Sequence, residues 1–298
     1  MKKKGPKRHR NFQILCVAVF TLLTVFILFP FVLMAVSSVT EENELLIHGY
    51  KLFPKAFSLN AYRYIFQSSS AIVRSYGMSI LVTAIGTTVG LSMTVLMAYP
   101  LSRKDFRWRN IIAFIVFFTM LFNGGLVSQY IMWTQIFSIK NTVFAYLVPN
   151  LLMGAFNVMI IRNYFANNVP FEIIESAELD GAGEWRTLLS VVLPISKPIL
   201  VTIGLMIGLA YWNDWTNGLY YINNSSLYTF QNLLNRMIQE INFLSSGEAA
   251  HYVGTGIAIP NVSLRMAIAT LGVIPILMVY PFLSKYFAQG ITMGAVKG

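Results

Sequence analysis

The chain has 298 residues, of which 56% are hydrophobic and only 11% are charged, and its mean hydropathy is +0.60. A soluble domain of this size needs more polar material to cover its surface, so the composition excludes one and indicates a membrane protein. The formal net charge is +10, but the basic residues punctuate long apolar runs, so we expect no nucleic-acid partner. The single cysteine, Cys16, excludes a disulfide or a cysteine metal cluster within the chain.

Six apolar runs, separated by charged residues, predict an all-α polytopic membrane protein with six transmembrane helices. Each run is close to the ~20 residues that a helix needs to cross the hydrocarbon core of a bilayer. The predicted spans are residues 14–36, 75–99, 110–129, 142–161, 199–220 and 266–284. No segment between them is long enough for a second soluble domain. Residues 14–298 are therefore predicted to form a single transmembrane domain that follows a basic tail, residues 1–13.

The basic residues predict the orientation of these spans. Positive charge concentrates in the tail, in the loop after the second span, in the loop after the fourth span and at the chain end. Because cytoplasmic loops carry an excess of Lys and Arg, both termini are predicted to be cytoplasmic. The first apolar run could instead be a secretory signal, but it exceeds the usual apolar core of about 7–15 residues, so a retained span is favoured.

The cytoplasmic loop of residues 162–198 is unusually acidic, with carboxylates at Glu172, Glu175, Glu178, Asp180 and Glu184. Pro170 suits the first turn of a helix that Gly181 would end, and a second short helix is predicted to stop at Pro194. The alternatives are a solvated connector or a helix lying on the membrane surface. Surface helices usually carry Lys and Arg to meet anionic lipids, so a protein partner is favoured.

The residues of this loop resemble the EAA loop of bacterial ABC importer permeases. That motif reads Glu-Ala-Ala, three residues, Gly, nine residues, Ile, one residue, Leu-Pro. The chain keeps the spacing throughout, with Ser in place of the second residue and Val in place of Ile, at Glu175, Ser176, Ala177, Gly181, Val191, Leu193 and Pro194. The stretches LDGAGEW, LPISKP and TMGAVKG resemble the maltose-type sugar permeases, and FNGGLVSQY and YWNDW resemble the branch that serves complex oligosaccharides.

The resemblance implies a type I ABC importer permease fold, in which the EAA loop is a coupling helix seated in a groove of an ATP-hydrolysing subunit. Glu175 would present a carboxylate to basic groups of that subunit, and Gly181 would supply the turn. The other implied coupling residues are Ser176, Ala177, Asp180, Leu193 and Pro194, although the last two could serve only to end a helix. The implied partners are a second homologous permease, two ABC ATPase subunits, an extracellular or periplasmic sugar-binding protein and membrane lipid.

Nothing in the sequence predicts catalysis by this chain. It has no phosphate-binding loop of the form Gly, four residues, Gly-Lys-Ser/Thr, so ATP and Mg²⁺ are expected on the partner ATPase, with no cofactor in this chain. No histidine pair has the spacing of a helical metal site, and no metal site is predicted.

The substrate path is predicted less directly. Asp214 is the only carboxylate inside a predicted span, which makes it a functional candidate. With Trp212, Asn213 and Trp215 it could line an outer cavity in which aromatic rings stack on sugars, although an interfacial aromatic belt is the favoured reading. Asn123, beside two glycines, could contribute to the path, but a helix kink is favoured there. The glycine-rich segment of residues 222–265 could dock a binding protein or be a plain external loop.

Two other classes of protein compete with the ATP-driven carbohydrate importer. A secondary transporter driven by an ion gradient usually carries buried carboxylates or histidines in several helices, and this chain offers Asp214 alone. A membrane scaffold without transport activity would not need the acid, glycine and proline spacing of the loop.

Overall fold

The computed structural model describes residues 7–67, 69–149, 151–244 and 261–295. Within these ranges the chain is helical, and the one extended pairing is an isolated antiparallel bridge between Thr40 and Phe57. The all-α prediction is therefore confirmed. The helices are α1 (Lys7–Ser38), α2 (Glu42–His48), α3 (Asn60–Gln67), α4 (Ser69–Ser102), α5 (Arg109–Leu121), α6 (Gly125–Ile131), α7 (Phe144–Leu147), α8 (Ala155–Asn168), α9 (Phe171–Leu179), α10 (Glu184–Thr187), α11 (Leu193–Ile195), α12 (Lys197–Trp212), α13 (Thr216–Tyr221), α14 (Phe230–Leu244) and α15 (Asn261–Ala295).

The chain divides into two compact units. The first combines Met1–Ser69 with Arg236–Pro275, and the second combines Ser70–Asn235 with Ile276–Gly298. In the second unit a buried apolar cluster joins α4, α8 and α12, with Val82, Val158, Ile161 and Ile203 almost fully buried. Leu188 and Val192, which follow α10, belong to the same cluster, so the acidic loop rests on a packed core.

Three of the predicted spans lie within single helices: residues 14–36 in α1, 75–99 in α4 and 266–284 in α15. In the described part of the chain, two helices are long and apolar enough to cross a membrane, Asn11–Ser38 and Ser70–Ser102. The number rises to four if each of two bent helix pairs is one span. The count of six transmembrane helices stays a prediction.

The prediction of one helix over residues 110–129 is wrong, because the chain breaks between α5 and α6 and bends by 112°. Phe122 is extended and Gly125 has a φ of +80°, a conformation that favours glycine. The side chain of Asn123 fixes the break, because its Oδ1 accepts hydrogen bonds from the Gly125 amide (2.9 Å) and from Gln129 Nε2 (3.3 Å).

The prediction of one helix over residues 142–161 is also wrong, because α7 has ended by Val148 and α8 begins only at Ala155. Pro149 lacks an amide hydrogen and cannot continue the helical ladder. The carbonyl groups freed by this break find side-chain donors: Tyr211 Oη donates to the Leu147 oxygen (2.8 Å) and Asn217 Nδ2 to the Pro149 oxygen (3.1 Å).

The predicted span 199–220 is likewise two helices, α12 and α13, separated by residues 213–215. Asp214 lies in this break, and its Oδ1 accepts a hydrogen bond from the backbone amide of Asn217 in the first turn of α13 (3.0 Å). A short polar side chain that satisfies a free amide at a helix start competes with continuation of the preceding helix.

An acidic residue of the first unit caps α15. Glu42 lies in α2, and its carboxylate accepts hydrogen bonds from the amides of Val262 (2.8 Å) and Ser263 (2.9 Å) and from Ser263 Oγ (2.7 Å). These amides belong to the first turn of α15, where orphan donors and the positive end of the helix dipole favour a carboxylate. Glu42, the first residue of α2, is therefore a structural cap of α15.

We expect the substitution Glu42→Ala to lower the free energy of unfolding by about 1–3 kcal/mol, because it leaves charge-assisted bonds to a helix start unmade. Thermal unfolding in detergent measures this loss, and Glu41→Ala, which removes an exposed neighbour, is the matched control. Equal melting temperatures for the two variants would contradict the capping role.

Candidate functional site

The acidic loop folds as two helices joined by a glycine turn, as its sequence predicts. Pro170 precedes α9 in an extended conformation, and Glu172 lies in the first turn of that helix. A carboxylate in this position faces the positive end of the helix dipole. Ile174 is buried and anchors one face of α9 to the core, while Glu175 and Ser176 on the other face are exposed.

The turn after α9 requires glycine. Gly181 has a φ of +79°, its amide donates to the Glu178 oxygen (2.9 Å), and the Ala182 amide donates to the Ala177 oxygen (2.9 Å). This pair of bonds is the Schellman ending of a helix, in which the residue after the cap adopts a left-handed conformation. Apart from its chain neighbours, no atom of the described residues lies within 4 Å of the position of a Cβ atom on Gly181, so its side-chain space is open.

The second helix runs slightly further than predicted. α10 continues through a π-helical segment, Leu188–Val192, into α11, which includes Pro194 and ends at Ile195. The Leu193 amide donates to the Leu188 oxygen, five residues back, so the hydrogen-bond register has changed before the proline is reached. The chain then bends by 86° into α12. Leu193 packs against the core and Pro194 is exposed.

The exposed face of the loop combines acidic groups with large apolar ones. Glu175, Asp180 and Gly181 are exposed at its surface and Ala177 is half-buried. Two large apolar side chains lie on the same face: Leu179 is 85% exposed and Trp185 is 67% exposed. Neither is part of the EAA motif. Their signal in the sequence was a large apolar residue on either side of the Asp-Gly turn.

A buried arginine holds the loop from α4. Arg103 follows α4 and is only 7% exposed, and its guanidinium contacts Glu178 of α9, Asp105 Oδ1 at 3.2 Å and Glu184 Oε1 of α10 at 3.7 Å. Tyr99 Oη donates to Glu184 Oε2 (2.6 Å). Burial acts to lower the pKa of Arg103, but hydrogen bonds to Glu178 and Asp105 outweigh burial and raise that pKa, so the charge persists. Sequence reasoning counted Arg103 only as a topology signal.

The candidate substrate-path residues lie at helix breaks. Trp212 ends α12, while Asn213, Asp214 and Trp215 form the break before α13, and Asn123 lies in the break between α5 and α6. Non-helical backbone at membrane depth is tolerated where it is buried in protein or lines a water-filled cavity. The break before α13 is therefore compatible with burial in protein, with the wall of a water-filled cavity and with an aromatic belt at the membrane interface.

Two polar atoms in this region are buried and have no hydrogen-bond partner in the described part of the chain, Trp212 Nε1 and Asp214 Oδ2. The Trp212 ring lies 6.3 Å from the Tyr76 ring, and Tyr76 in turn stacks on Phe230 at 3.9 Å. The break thus presents one unpaired donor and one unpaired acceptor next to an aromatic cluster.

Some predicted features lie outside the described residues, among them Gly247, Gly254 and Gly256 of the segment proposed to dock a binding protein. Within the described ranges, no group of three His, Cys, Asp or Glu side chains could hold a metal ion.

Comparison with known proteins identifies the family. The model of the family described as "Binding-protein-dependent transport system inner membrane component" matches residues 86–293, which is more than half of the chain. The chain belongs to this family. As a permease subunit of an ABC transport system it is an inner-membrane component and not an enzyme, and ATP hydrolysis belongs to a partner ATPase. The family gives no support to the alternative of a gradient-driven transporter.

Two curated relatives come from Bacillus subtilis (strain 168). The polygalacturonan/rhamnogalacturonan transport system permease protein YtcP is 34% identical to this permease, over 98% of this chain and 100% of that protein. Protein LplC is 36% identical, over 90% of this chain and 89% of that protein. Among solved structures, a bacterial ABC transporter involved in the import of the acidic polysaccharide alginate has a chain with a TM-score of 0.79 and 26% identity, covering 96% of this chain and 100% of that one.

Proposed function

We propose that this permease is the transmembrane subunit of an ATP-driven importer that translocates an oligosaccharide delivered by an extracellular binding protein. The observation that carries the proposal is the surface formed by α9, Gly181 and α10, because it exposes Leu179 and Trp185 among carboxylates at a fixed glycine turn. We call this surface, made of Glu175, Ser176, Ala177, Leu179, Asp180, Gly181 and Trp185, the coupling surface.

The chemistry of the coupling surface suits a protein groove with an apolar floor and a basic rim. Exposed Leu and Trp side chains gain free energy when a partner covers them, at roughly 25 cal/mol per Å² of apolar surface. Glu175 and Asp180 add charge complementarity, which favours a basic partner over anionic lipid. The proposed partner is an ABC ATPase subunit, which binds ATP and Mg²⁺ itself.

The proposed assembly contains a second homologous permease, two ATPase subunits and the binding protein, in the lipid of the inner membrane. In this arrangement residues 14–298 form one transmembrane permease domain with six spans and both termini in the cytoplasm, and residues 162–198 form the cytoplasmic coupling loop. The spans over 110–129, 142–161 and 199–220 would cross the membrane as broken segments. Breaks of this kind bring polar backbone to the inside of a transport protein.

The proposed mechanism passes motion from the ATPase subunits to the spans. Closure of the two ATPase subunits around ATP would carry the coupling surface with it. Because α10 continues through α11 and a sharp bend into α12, movement of the loop reaches the break at Asn213–Trp215 along one stretch of chain. That break carries the proposed substrate-path residues, so it could change access to the path.

The substrate class is inferred from the relatives. YtcP is named for a polygalacturonan/rhamnogalacturonan transport system, and the solved neighbour is involved in the import of the acidic polysaccharide alginate. These polymers contain uronic acids. We propose an oligosaccharide as the substrate and a uronate-containing one as the first to test. Unpaired Trp212 Nε1 and Asp214 Oδ2 would bond sugar hydroxyls, and the Trp212 and Trp215 rings would stack on sugar faces.

The substrate path predicts a selective loss of transport in two conservative variants. Asp214→Asn keeps an oxygen to cap α13 but replaces the unpaired Oδ2, and Trp212→Phe keeps a ring but removes the unpaired donor. We expect each variant to raise the KM for uptake about five- to tenfold, because a lost hydrogen bond to a buried polar group costs about 1–1.5 kcal/mol.

Initial rates of labelled sugar uptake, at matched surface abundance, measure this effect. Trp108→Phe, which changes an exposed tryptophan distant in sequence from the break, is the control. Uptake kinetics equal to wild type in both path variants would remove these residues from the path and leave an interfacial aromatic belt.

The substrate proposal itself is tested by uptake in cells that lack the gene and in cells complemented with it. The panel contains trigalacturonate, an alginate trisaccharide and maltotriose at equal concentration. Gene-dependent uptake of an acidic sugar supports the uronate class, and uptake of maltotriose alone would replace it with neutral oligosaccharides. If none of the three sugars enters in a gene-dependent way, the oligosaccharide assignment is wrong.

A further inference from the structure

Arg103 lies where three segments of the second unit meet. It follows the last residue of α4, and its guanidinium contacts Glu178 near the end of α9 and Glu184 at the start of α10. Asp105, in the same loop as Arg103, also contacts the guanidinium, with its Oδ1 3.2 Å from Arg103 Nε. One buried cation therefore links α4 to both helices of the coupling surface.

The link has a second contact and a supported backbone. Tyr99, which is buried in the last turns of α4, donates to the other carboxylate oxygen of Glu184 at 2.6 Å. The backbone on either side of Arg103 is held as well, because Arg109 Nη1 donates to the Arg103 oxygen (3.3 Å) and Arg162 Nε to the Leu101 oxygen (3.1 Å). The guanidinium is thus presented from a fixed position.

Apolar packing does not fill the space between α4 and α10. An open cavity of about 420 Å³ lies there, with Leu96 and Pro100 on the α4 side, Trp185 and Leu188 on the other side, and Arg103 and Glu184 also on its wall. Across this gap the polar contacts of Arg103 and Tyr99 join the two helices.

We propose that Arg103, with Tyr99, is a positioning device that makes α4 and the two helices of the coupling surface move as one body. This inference rests on the proposed coupling function of α9 and α10. Nη2 of this guanidinium contacts Glu178 of α9 and lies 3.7 Å from Glu184 Oε1 of α10, so one buried cation ties both helices to the end of α4. Without it, motion of the loop would be absorbed in the cavity before it reached α4.

The test measures the distance between α4 and α10 while the ATPase subunits close. Spin labels are attached at Val89→Cys on α4 and at Arg186→Cys on α10, both exposed positions, in a Cys16→Ser background of the complete importer. Pulsed EPR then gives the distance distribution before and after trapping with ATP, Mg²⁺ and orthovanadate. With Arg103 present, we expect one narrow distribution that trapping leaves unchanged.

Arg103→Gln is expected to broaden that distribution before trapping and to shift it on trapping, and Arg103→Lys is expected to restore part of the narrow peak. Lys104→Gln, an exposed residue of the same loop, is the control and should behave as wild type. If Arg103→Gln destabilises the complex, the double variant Tyr99→Phe with Glu184→Gln removes the second contact instead and should broaden the distribution. Sugar transported per ATP hydrolysed should fall about tenfold in Arg103→Gln, within the usual range for coupling between sites.

The proposal is overturned if the distance distribution in Arg103→Gln stays as narrow as in Lys104→Gln and is likewise unchanged by trapping. Where Arg103→Gln destabilises the complex, the same criterion applies to the double variant. It is also overturned if the wild-type distance shifts on trapping, because the segments then do not move together. Failure of the proposed coupling function would give a different result, because the purified wild-type complex would then contain no ATPase and would trap no nucleotide.

Discussion

Transport is expected to fall more than tenfold in the variant Gly181→Val. Gly181 has a φ of +79° in the Schellman ending of α9, and a β-branched residue in the left-handed region costs about 1–2 kcal/mol. The chain escapes this cost by unwinding the end of α9, which displaces Leu179 and Asp180 from their places on the coupling surface. A valine side chain would also project into the open space that the ATPase is proposed to approach.

Gly183→Val is the matched control for this change. Gly183 lies two residues away in the same turn, is also exposed and has a φ of −74°, which any residue adopts. Uptake rate and ATPase content, normalised to the amount of permease in the membrane, separate the two variants. Equal transport by both would show that the left-handed turn is not needed for coupling.

The second large effect is expected in the packing of α4 against α12. A Cβ atom on Gly86 would lie 2.5–2.6 Å from three atoms of the Tyr211 ring. That ring is almost fully buried, and its hydroxyl is held by the Leu147 oxygen, so it cannot move aside without losing a hydrogen bond. We expect Gly86→Ala to lower the free energy of unfolding by about 1–3 kcal/mol, the usual cost of overpacking a core.

The control for this prediction lies in the same helix. A Cβ atom on Gly77 would meet no side chain and no other helix within 4 Å in the described part of the chain, so Gly77→Ala removes only the conformational cost of glycine and should leave stability equal or higher by about 1 kcal/mol. Thermal unfolding in detergent compares the two variants. A melting temperature for Gly86→Ala at or above that of Gly77→Ala would contradict the packing of α4 against Tyr211.

The sequence predicted the two helices and the glycine turn of the 162–198 loop because their signals are local. Pro170 and Gly181 act through backbone conformation alone: Gly181 ends α9 as expected, while Pro170 stands immediately before the first turn and not in it. Ser176 and Val191 depart from the family motif without disturbing the two helices. Pro194 was expected to stop the second helix, but a π-helical segment before it changed the hydrogen-bond register and let the helix reach Ile195.

The broken spans could not be predicted in the same way, because hydropathy measures composition and not continuity. Residues 142–161 are apolar enough for a span, yet the break after α7 is stabilised by Tyr211 and Asn217, which are distant in sequence. The break at Asn123 had a local signal in the two glycines that follow it. The sequence predicted a kink at this position but not a bend as large as 112°. Arg103 was counted as a loop charge because its partners Glu178 and Glu184 are more than 70 residues away in the chain.

The most direct test of the proposed coupling is a mild-detergent pull-down of the tagged permease from its native membranes, with mass spectrometry of what comes with it. Wild type is compared with Leu179→Asp, which changes a side chain that is 85% exposed, and with Ile47→Asp, which changes one that is 75% exposed on α2. We predict that wild type and Ile47→Asp bring down a second permease and an ABC ATPase, and that Leu179→Asp keeps the permease but loses the ATPase. An ATPase that stays with Leu179→Asp in wild-type amount, or that is absent from wild type while the second permease is present, would contradict the coupling surface.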